Sequence, residues 1–341
     1  MNAVGPWRYA WRRILRDRWT VAALVALAVV VAVSLCGGAI ASRLIGHDGA
    51  RPFPYGATGV GQNIKPVGAW TRIPSTGNTY ANDYGDLVPP PKGTPTTLFV
   101  LGGDGSLGRD EFIRFLDGGR TSLEVGIGAM LLALLIAIPL GSAAGYFGGV
   151  VDAVVARWTD TLMAFPMLLF LVFATVKLSH YLVGVSYGWV VPRGVFSEIV
   201  LIGAFTSFYP LRLIRGQLIT LRSAEFVEAA QMVGARDTRI LWKHLMPHLV
   251  PTLLVWGAIA IATDILLEVS LSFIGVGIDN ATPTWGSMLS PAWGTLYAGR
   301  STVPTVWLTL VPTFGLVVTV AALNQLSEGI RRALEPWGSR R

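Results

Sequence analysis

The sequence has few charged residues and only one cysteine. Charged side chains make up 14% of its 341 residues, whereas a soluble domain carries roughly 25%. Because 52% of the residues are also hydrophobic, the composition predicts a polytopic membrane protein. Cys36 has no second cysteine to pair with, which excludes an internal disulfide, and we interpret it as a small apolar residue within a hydrophobic run.

Sequence motifs for binding nucleotides and metals are missing as well. No lysine follows a glycine, so the phosphate-binding loop G-K-[ST] is absent. The sequence has no H-E-x-x-H motif and no Cys/His cluster, and His244 and His248, four residues apart, lack a third ligand. We therefore expect no cofactor, no metal and no catalytic residue in this chain, and any ATP must be bound by another chain.

Two short motifs match enzyme signatures without the structural context that those signatures need. Residues 103–108 read G-x-G-x-x-G, but no βαβ unit surrounds them, so we do not predict dinucleotide binding. Residues 184–188 read G-x-S-x-G, but no strand precedes them, so we do not predict a hydrolase. Turns built from small residues explain both matches.

Long apolar stretches dominate the rest of the chain. A membrane-spanning helix needs about 20 apolar residues, and six stretches approach that length: 21–41, 122–145, 161–178, 198–219, 251–275 and 302–325. Arg212 and Arg215 interrupt the fourth, where they could reach the interface. The first stretch follows a basic leader and could be a signal peptide, but its apolar run exceeds the ~7–15 residues of such a core. We therefore predict a retained span.

The distribution of Lys and Arg predicts the orientation. With six spans, sixteen of these residues fall in the leader 1–20, on the inner side in the loops and adjoining helix ends, and in the tail 326–341. Three fall in the two short outer loops and adjoining helix ends, and the eight in the long outer loop do not count toward orientation. Basic residues favour the cytoplasmic side, so both termini and the loop 222–250 are predicted to be cytoplasmic. This topology also explains the net charge of +7 without nucleic acid binding.

The first outer loop, residues 42–120, is rich in Gly and Pro. We expect it to be largely irregular, although a small packed subdomain is an alternative. Near residues 109–117 it should contain a short amphipathic helix that starts at Asp110 and Glu111, ends at Gly118–Gly119, and presents Phe112, Phe115 and Leu116 on one face. Such a helix would lie at the outer membrane interface or against a partner.

The inner loop 222–250 has the pattern of two helices broken at a glycine. Ser223 and Asp237 are candidate N-caps, and Gly234 can adopt the left-handed conformation that ends a helix. Between them, Phe226, Ala229, Ala230 and Val233 form one stripe. Pro247 and Pro251 should turn the chain into the fifth span. This elbow either packs on its own membrane domain or projects as a rigid knob into a soluble partner.

Within the elbow, Glu228-Ala229-Ala230 followed by Gly234 resembles the EAA loop of ABC importer permeases, although Met246-Pro247 stands where Leu-Pro is usual. The resemblance extends to LGRD at 107–110, GGRTSLEVG at 118–126, PLGSAAGYFGGVVD at 139–152, MAFP at 163–166, EVSLSFIGVG at 268–277, PTWGSML at 283–289 and LSEGIRRALEP at 326–336. Together these segments resemble the C-type permeases of dipeptide, oligopeptide and nickel importers.

The resemblance implies an all-α permease of six transmembrane helices, with a core at 121–325, in a bacterial inner membrane. It implies a second, B-type permease, two ATPase subunits that bind ATP and Mg, and an extracytoplasmic solute-binding protein. Contacts to an ATPase would come from Glu225, Glu228, Ala229, Ala230, Gly234, Ala235 and Asp237. Contacts on the outer face would come from Leu107, Gly108, Arg109, Asp110, Phe112 and Phe115.

Asp264 and Glu268 lie four residues apart in the fifth apolar stretch. Ionisable residues within a span are costly and face a cavity or a partner. Our hypothesis is that they line the translocation path, where Asp264 attracts a cationic group such as a peptide amine. The alternative is a structural role, paired with a hydroxyl or with the partner permease. Glu268 belongs to the pattern of the resembled family, whereas Asp264 does not.

Other functions remain as alternatives to an importer subunit. A self-contained secondary transporter or channel would leave the ordered elbow without a purpose, and no inverted repeat is visible between the two halves of the chain. A membrane enzyme would need a catalytic constellation, for which the two short motifs above are the candidates. The sequence does not choose between peptides, nickel and other small solutes.

Overall fold

The computed structural model describes residues 6–58, 65–75, 88, 91–104, 107–183, 194–297 and 303–334. In chain order, the helices in these ranges are α1 (Pro6–Arg16), α2 (Arg18–Ala32), α3 (Gly38–Ile45), α4 (Glu111–Phe147), α5 (Gly149–Met163), α6 (Met167–Val183), α7 (Val195–Thr206), α8 (Phe208–Leu221), α9 (Glu225–Met232), α10 (Asp237–Arg239), α11 (Met246–Ile274), α12 (Trp285–Tyr297) and α13 (Val303–Leu334). The π-helical segments Val33–Gly37 and Ile240–Leu245 join α2 to α3 and α10 to α11.

Short antiparallel ladders form the outer loop. β1 (Ala57–Thr58) pairs with β2 (Lys65–Pro66), β3 (Thr71–Pro74) with β4 (Thr96–Phe99), and β5 (Gly103–Asp104) with β6 (Arg109–Asp110). In the longest ladder Ile73 lies opposite Thr97. In the described part of the loop, Phe53, Ile73 and Phe99 form a small packed core, a feature of the alternative to an irregular segment.

The predicted all-α membrane architecture is confirmed. Among the described residues, five helical stretches are long and apolar enough to span a membrane: Arg18–Ile45, Glu111–Phe147, Val195–Leu221, Asp237–Ile274 and Val306–Leu334. The third predicted span, 161–178, differs from expectation. It is the second half of a pair, Gly149–Met163 and Met167–Leu178, bent by 90°. Pro166, at the break, has no N–H to donate and disfavours a helical residue before it.

Helix α4 corrects the prediction of a separate short helix near 109–117. The predicted start is right, because Asp110 is the N-cap and its side chain accepts from the N–H groups of Phe112 and Ile113. The predicted end at Gly118–Gly119 is wrong, and the boundary at residue 120 falls inside α4. A Cβ at Gly119 would lie 2.4 Å from Ser34 Oγ and 2.8 Å from Trp285 Cζ2, so this glycine permits helix packing and does not end the helix.

The centre of the bundle is built around a row of small residues on α4. Ala129, Ala133, Ala137, Gly141 and Gly145 follow one another at intervals of four residues, and all are buried. Side chains at i and i+4 share one helix face, so this row allows α7 and α8 to approach closely. A Cβ at Gly145, for example, would lie 2.8 Å from Arg215 O.

The fifth span begins earlier than predicted. Pro247 and Pro251 do not turn the chain, because the helical stretch continues from Asp237 to Ile274. The π-helical segment Ile240–Leu245 directly precedes Pro247. Proline lacks an N–H and its ring collides with the carbonyl four residues back, and a wider π-turn is one way to accommodate this.

Candidate functional site

The elbow has the predicted form of two helical limbs separated by a glycine. Helix α9 ends at Met232, and Gly234 takes φ +82°, the left-handed conformation. The Ala235 N–H donates to Ala230 O at 3.0 Å, which closes the end of α9. The second limb starts at α10. The backbone therefore changes direction sharply at the one residue type that adopts this conformation without strain.

One side of α9 is buried and the other is open. Val227 is buried against a cluster that includes Ile240 and Leu245 of the second limb. Met232 and Val233 are 82% and 89% exposed, and the ring of Phe226 is partly exposed beside His248. The predicted stripe is thus mainly an outward face: Phe226, Ala229 and Val233 are exposed, whereas Ala230 is half-buried.

Neither predicted N-cap of the elbow makes a capping bond. Ser223 Oγ instead donates to Thr220 O at 3.1 Å, and Ala224 occupies the N-cap position. Asp237 lies one residue inside its helix, where its Oδ1 accepts from the Tyr146 hydroxyl at 2.8 Å. The elbow is therefore linked directly to the end of α4.

The remaining candidate coupling residues lie on the surface of the elbow. Glu225 and Glu228 occupy the first turn of α9 with exposed side chains, a position where negative charge is favourable to the helix dipole. Arg236 is exposed at the start of the second limb, and Ala235 is half-buried. The elbow thus presents three exposed carboxylates, four exposed basic residues and an apolar face. The carboxylates are Glu225, Glu228 and Asp237, and the basic residues are Arg222, Arg236, Arg239 and Lys243.

The outer end of α4 is held by a polar cluster, which we call the outer cap. It consists of the buried His47, Thr97, Asp104, Arg109, Asp110 and Arg114, with the exposed Asn280 beside them. His47 Nε2 lies 3.1 Å from Asp110 Oδ2, and its Nδ1 lies 3.2 Å from Thr97 Oγ1. Since Asp110 is also the N-cap of α4, His47 connects the outer subdomain to the start of that helix.

Two arginines of the outer cap share one carboxylate and one carbonyl. Arg109 Nε donates to Asp104 Oδ2 at 2.6 Å, and Arg114 Nε lies 3.4 Å from the same oxygen. Arg109 Nη1 and Arg114 Nη2 both donate to Asn280 O, at 2.8 and 3.2 Å. Buried guanidinium groups need such partners, so these residues stabilise the cap from within the chain.

The six candidate outer-contact residues therefore divide into different environments. Gly108, Arg109 and Asp110 are buried, Phe112 and Phe115 are half-buried, and Leu107 is exposed. Phe115 stacks on Trp285, whose indole Nε1 donates to Phe115 O at 3.1 Å. Direct contact with a partner is open to Leu107, whereas the buried members hold its loop in place. Of the G-x-G-x-x-G match, residues 105 and 106 lie outside the described residues, as does all of 184–188.

Glu268 and Asp264 are both buried inside the bundle of this chain. Glu268 accepts hydrogen bonds from Ser122 Oγ and Ser272 Oγ, each at 2.9 Å. Neither oxygen of Asp264 has a hydrogen-bond partner among the described residues, although the side chain of Thr206 faces it. Glu268 matches the alternative of a structural pair with hydroxyls, while Asp264 is a buried carboxyl without a partner.

Sequence reasoning missed a third buried carboxyl, Glu198. It lies in the first turn of α7 and, among the described residues, its two oxygens have no hydrogen-bond partner. A Cβ at Gly277 would lie 2.6 Å from Glu198 Oε1 and 2.5 Å from Ser272 Oγ, which places Glu198 beside the cluster around Glu268. The sequence did contain a signal, because Glu198 is a charged residue in the predicted span 198–219. It is the first residue of that span, however, and a charge at the end of a span is common.

Comparison with known families identifies this architecture. Residues 137–339 match the family described as "Binding-protein-dependent transport system inner membrane component", and residues 5–66 match the "N-terminal TM domain of oligopeptide transport permease C". The chain belongs to this permease family. It is a permease subunit of an ABC importer and not an enzyme, with ATP hydrolysis in separate subunits.

Individual relatives agree with this assignment. The chain is 31% identical over 331 residues to the glutathione transport system permease protein GsiD of Pectobacterium atrosepticum, covering 97% of this chain and 91% of the relative. It is 32% identical over 234 residues to the oligopeptide transport system permease protein OppC of Bacillus subtilis, covering 69% and 70%.

A solved structure supports the fold alone. The inward-facing MetNI methionine ABC transporter matches with a TM-score of 0.50 and 18% identity, over 65% of this chain and 97% of that chain. The permease is a multi-pass inner-membrane protein. Membership of the family decides against a self-contained channel or secondary transporter, and it implies a second permease, ATPases and a binding protein as partners.

Proposed function

We propose that this permease is the C-type subunit of an importer for small peptides, and that its elbow seats one ATPase. The observation that carries the proposal is the open apolar face of α9 on an otherwise rigid projection. Met232 and Val233 are the most exposed large apolar side chains of the elbow, and large exposed apolar patches mark interaction sites. The coupling set is Glu225, Glu228, Ala229, Ala230, Gly234, Ala235 and Asp237.

Contacts behind α9 support transmission of movement into the membrane. Val227 packs with Leu218 of α8 and Leu245, next to the start of α11. The Tyr146–Asp237 hydrogen bond joins the second limb to α4. A shift of α9 would therefore be transmitted to the spans that contain α4, α8 and α11. Such a two-state element can be biased by the nucleotide state of the ATPase that binds it.

The termini and the elbow are proposed to be cytoplasmic. The sixteen-to-three distribution of Lys and Arg supports this orientation. With this orientation the outer cap lies on the opposite side, where Leu107, Phe112 and Phe115 would contact the solute-binding protein. Gly108, Arg109 and Asp110 would act there by holding this loop and not by touching the partner.

A peptide substrate is proposed because the relatives reported above are named for oligopeptides and for glutathione, itself a small peptide. Asp264 is the proposed path residue, exposed to the substrate when the bundle rearranges. Replacement by Asn keeps its size and removes its charge, so uptake of peptides with a free amino terminus should fall. Unchanged uptake of every peptide tried would contradict a role in the path.

Co-purification tests the elbow. The tagged chain is expressed with the products of its chromosomal neighbours and isolated in mild detergent. Val233→Glu should lose the ATPase but keep the second permease, because the change adds a charge to the proposed contact without touching the core. Since interface hot spots cost about 2–4 kcal/mol, the ATPase should bind at least thirtyfold more weakly.

Thr220→Glu is the matched control, since it adds the same charge at the exposed end of α8, outside the elbow. It should retain the ATPase. Retention of the ATPase by Val233→Glu, or its equal loss from both variants, would reject α9 as the seat.

A further inference from the structure

The first helix of the chain is amphipathic and has no role in the importer function proposed above. Its sequence, PWRYAWRRILR, combines aromatic and basic residues, and it precedes the first span directly. Among the residues with described side chains, Trp11, Leu15 and Trp19 are 57%, 52% and 73% exposed. Trp11 and Leu15 are four residues apart and form a short apolar row on α1. Trp19 adds an exposed indole in the first turn of α2, beyond the break at Asp17.

Basic side chains accompany this row. Arg12, Arg16 and Arg18 are all exposed. The inner end of α13 adds the exposed Arg331 and Arg332 nearby, both of which donate to Glu328. Arg332 Nη1 also lies 4.0 Å from Asp17 Oδ2. Apolar and cationic groups thus share one surface at the point where the chain leaves the membrane.

The turn between α1 and the first span is well defined. Asp17 caps α2 by accepting from Thr20 Oγ1 at 2.7 Å and from Trp19 N at 3.2 Å. The Thr20 hydrogen bond, together with that from Trp19, holds the pKa of Asp17 below its usual range. Thr20 in turn packs on α13, since a Cβ at Gly329 would lie 2.2 Å from Thr20 Oγ1. The turn at Asp17 and the first turn of α2 are therefore held by contacts within the chain.

We propose that α1 and the turn at Asp17 bind anionic phospholipid headgroups at the membrane surface, with Trp11, Leu15 and Trp19 in the headgroup–acyl boundary. Aromatic and aliphatic residues on one face with arginines beside them are the composition of an interfacial helix. Tryptophan favours the interface, and basic residues next to a span are attracted to anionic lipids. The charge of the surface selects an anionic leaflet over a zwitterionic one.

Under the proposed orientation this is the cytoplasmic leaflet, which carries the anionic lipids, so the inference rests on that part of the proposed function. The test does not depend on it, because both leaflets of a nanodisc have the same composition. Cys36→Ser removes the only native thiol of this chain. Leu15→Cys then carries an environment-sensitive fluorophore, attached before the chain is combined with its partners. All variants share these two changes, and each is studied in its complex with the partner subunits.

In discs containing phosphatidylglycerol the label should be buried, and raised salt should release it by screening the charges. In phosphatidylcholine alone it should be exposed. Arg12→Gln with Arg16→Gln and Arg18→Gln should abolish the preference for anionic discs. Each basic residue contributes about 1 kcal/mol near an anionic surface, so the preference should fall roughly a hundredfold. The matched triple Lys variant keeps the charges and should keep the preference.

Equal burial in both lipids, or equal behaviour of the Gln and Lys variants, would overturn headgroup recognition. Burial that follows the presence of the ATPase and not the lipid would identify a protein as the occupant and would also overturn it. ATPase retention, measured in the same samples, reports on the elbow separately. Failure of the lipid proposal can thus be distinguished from failure of the coupling proposal.

Discussion

The two ends of α4 are built in opposite ways. At the outer end, charged side chains are buried and paired within the chain: His47 with Asp110, and Arg109 and Arg114 with Asp104. At the inner end, Tyr146 binds Asp237 of the elbow, where apolar side chains such as Met232 and Val233 are exposed. The outer cap pairs its charges within the chain, although Arg114 Nε and Nη1 make no hydrogen bond among the described residues. The elbow instead leaves apolar side chains exposed. One end is therefore held largely by contacts within the chain, and under our proposal the other is completed by the ATPase.

The strongest test of this contrast removes the shared carboxylate of the outer cap. Asp104→Ala leaves Arg109 and Arg114 buried without their counter-charge, and breaking a buried pair costs about 3–5 kcal/mol. Thermal unfolding of the purified complex should shift down by roughly 10 °C. Glu225→Ala, which removes an exposed carboxylate of the elbow, is the control and should leave the midpoint unchanged. Similar thermal midpoints for both variants would show that the ion pairs of the outer cap do not stabilise the permease.

The next largest effect is expected at Gly119, where α4 meets Ser34 and Trp285. Gly119→Ala places a methyl group in occupied space, and overpacking costs about 1–3 kcal/mol. Gly216→Ala in α8 is the control, because a Cβ there meets nothing within 4 Å. It should be neutral or stabilise by up to roughly 1 kcal/mol, since glycine is the poorer helix former. Equal thermal shifts for both would mean that Gly119 has no packing role.

A smaller effect should follow from Tyr146→Phe, which removes the hydrogen bond from Tyr146 to Asp237. A hydrogen bond of this kind contributes about 1 kcal/mol. Stability should therefore change little, while ATP-driven uptake falls because the elbow is less firmly linked to α4. Tyr209→Phe is the control, since its exposed hydroxyl has only a weak contact with Met167 Sδ at 3.8 Å. Uptake unaffected by Tyr146→Phe would remove this link from the coupling route.

The smallest expected effect on stability is at Met232. Because its side chain is exposed, Met232→Gln should change the free energy of unfolding by less than about 0.5 kcal/mol. The thermal midpoint should therefore hardly move. The same variant should bind the ATPase more weakly in the co-purification assay. Destabilisation comparable to that of Gly119→Ala would mean that Met232 belongs to the fold and not to a docking face.

Features carried by local pattern were predictable from the sequence. The apolar stretches located the spans, and Gly234 located the break in the elbow, because a left-handed residue is a local requirement. The Gly118–Gly119 pair was misinterpreted because glycine marks both helix ends and close helix contacts. The two roles are distinguished only by the tertiary contacts of Gly119 with Trp285 and Ser34, which are distant in the sequence.

The outer cap could not be predicted from the sequence. His47 and Asp110 are 63 residues apart, and no periodicity connects them. The π-segment before Pro247 was missed for another reason, since sequence rules treat proline as a helix end. The open face of α9 was predicted as a stripe, but which side of it would be buried depends on Val227 packing against Ile240 and Leu245.

The carbonyl of Asn280 has a consequence for the order of events during synthesis. His47, Asp104, Arg109, Asp110 and Arg114 are all made early, but Asn280 follows Arg114 by 166 residues. A ribosome must therefore produce most of the permease before the acceptor shared by both guanidinium groups exists. The hydrogen bonds of the outer cap are therefore completed late in synthesis. Their formation requires that the fifth apolar stretch has been synthesised and inserted in the correct orientation. A chain stopped short of residue 280 would carry an open cap, a feature by which quality-control proteases could recognise it.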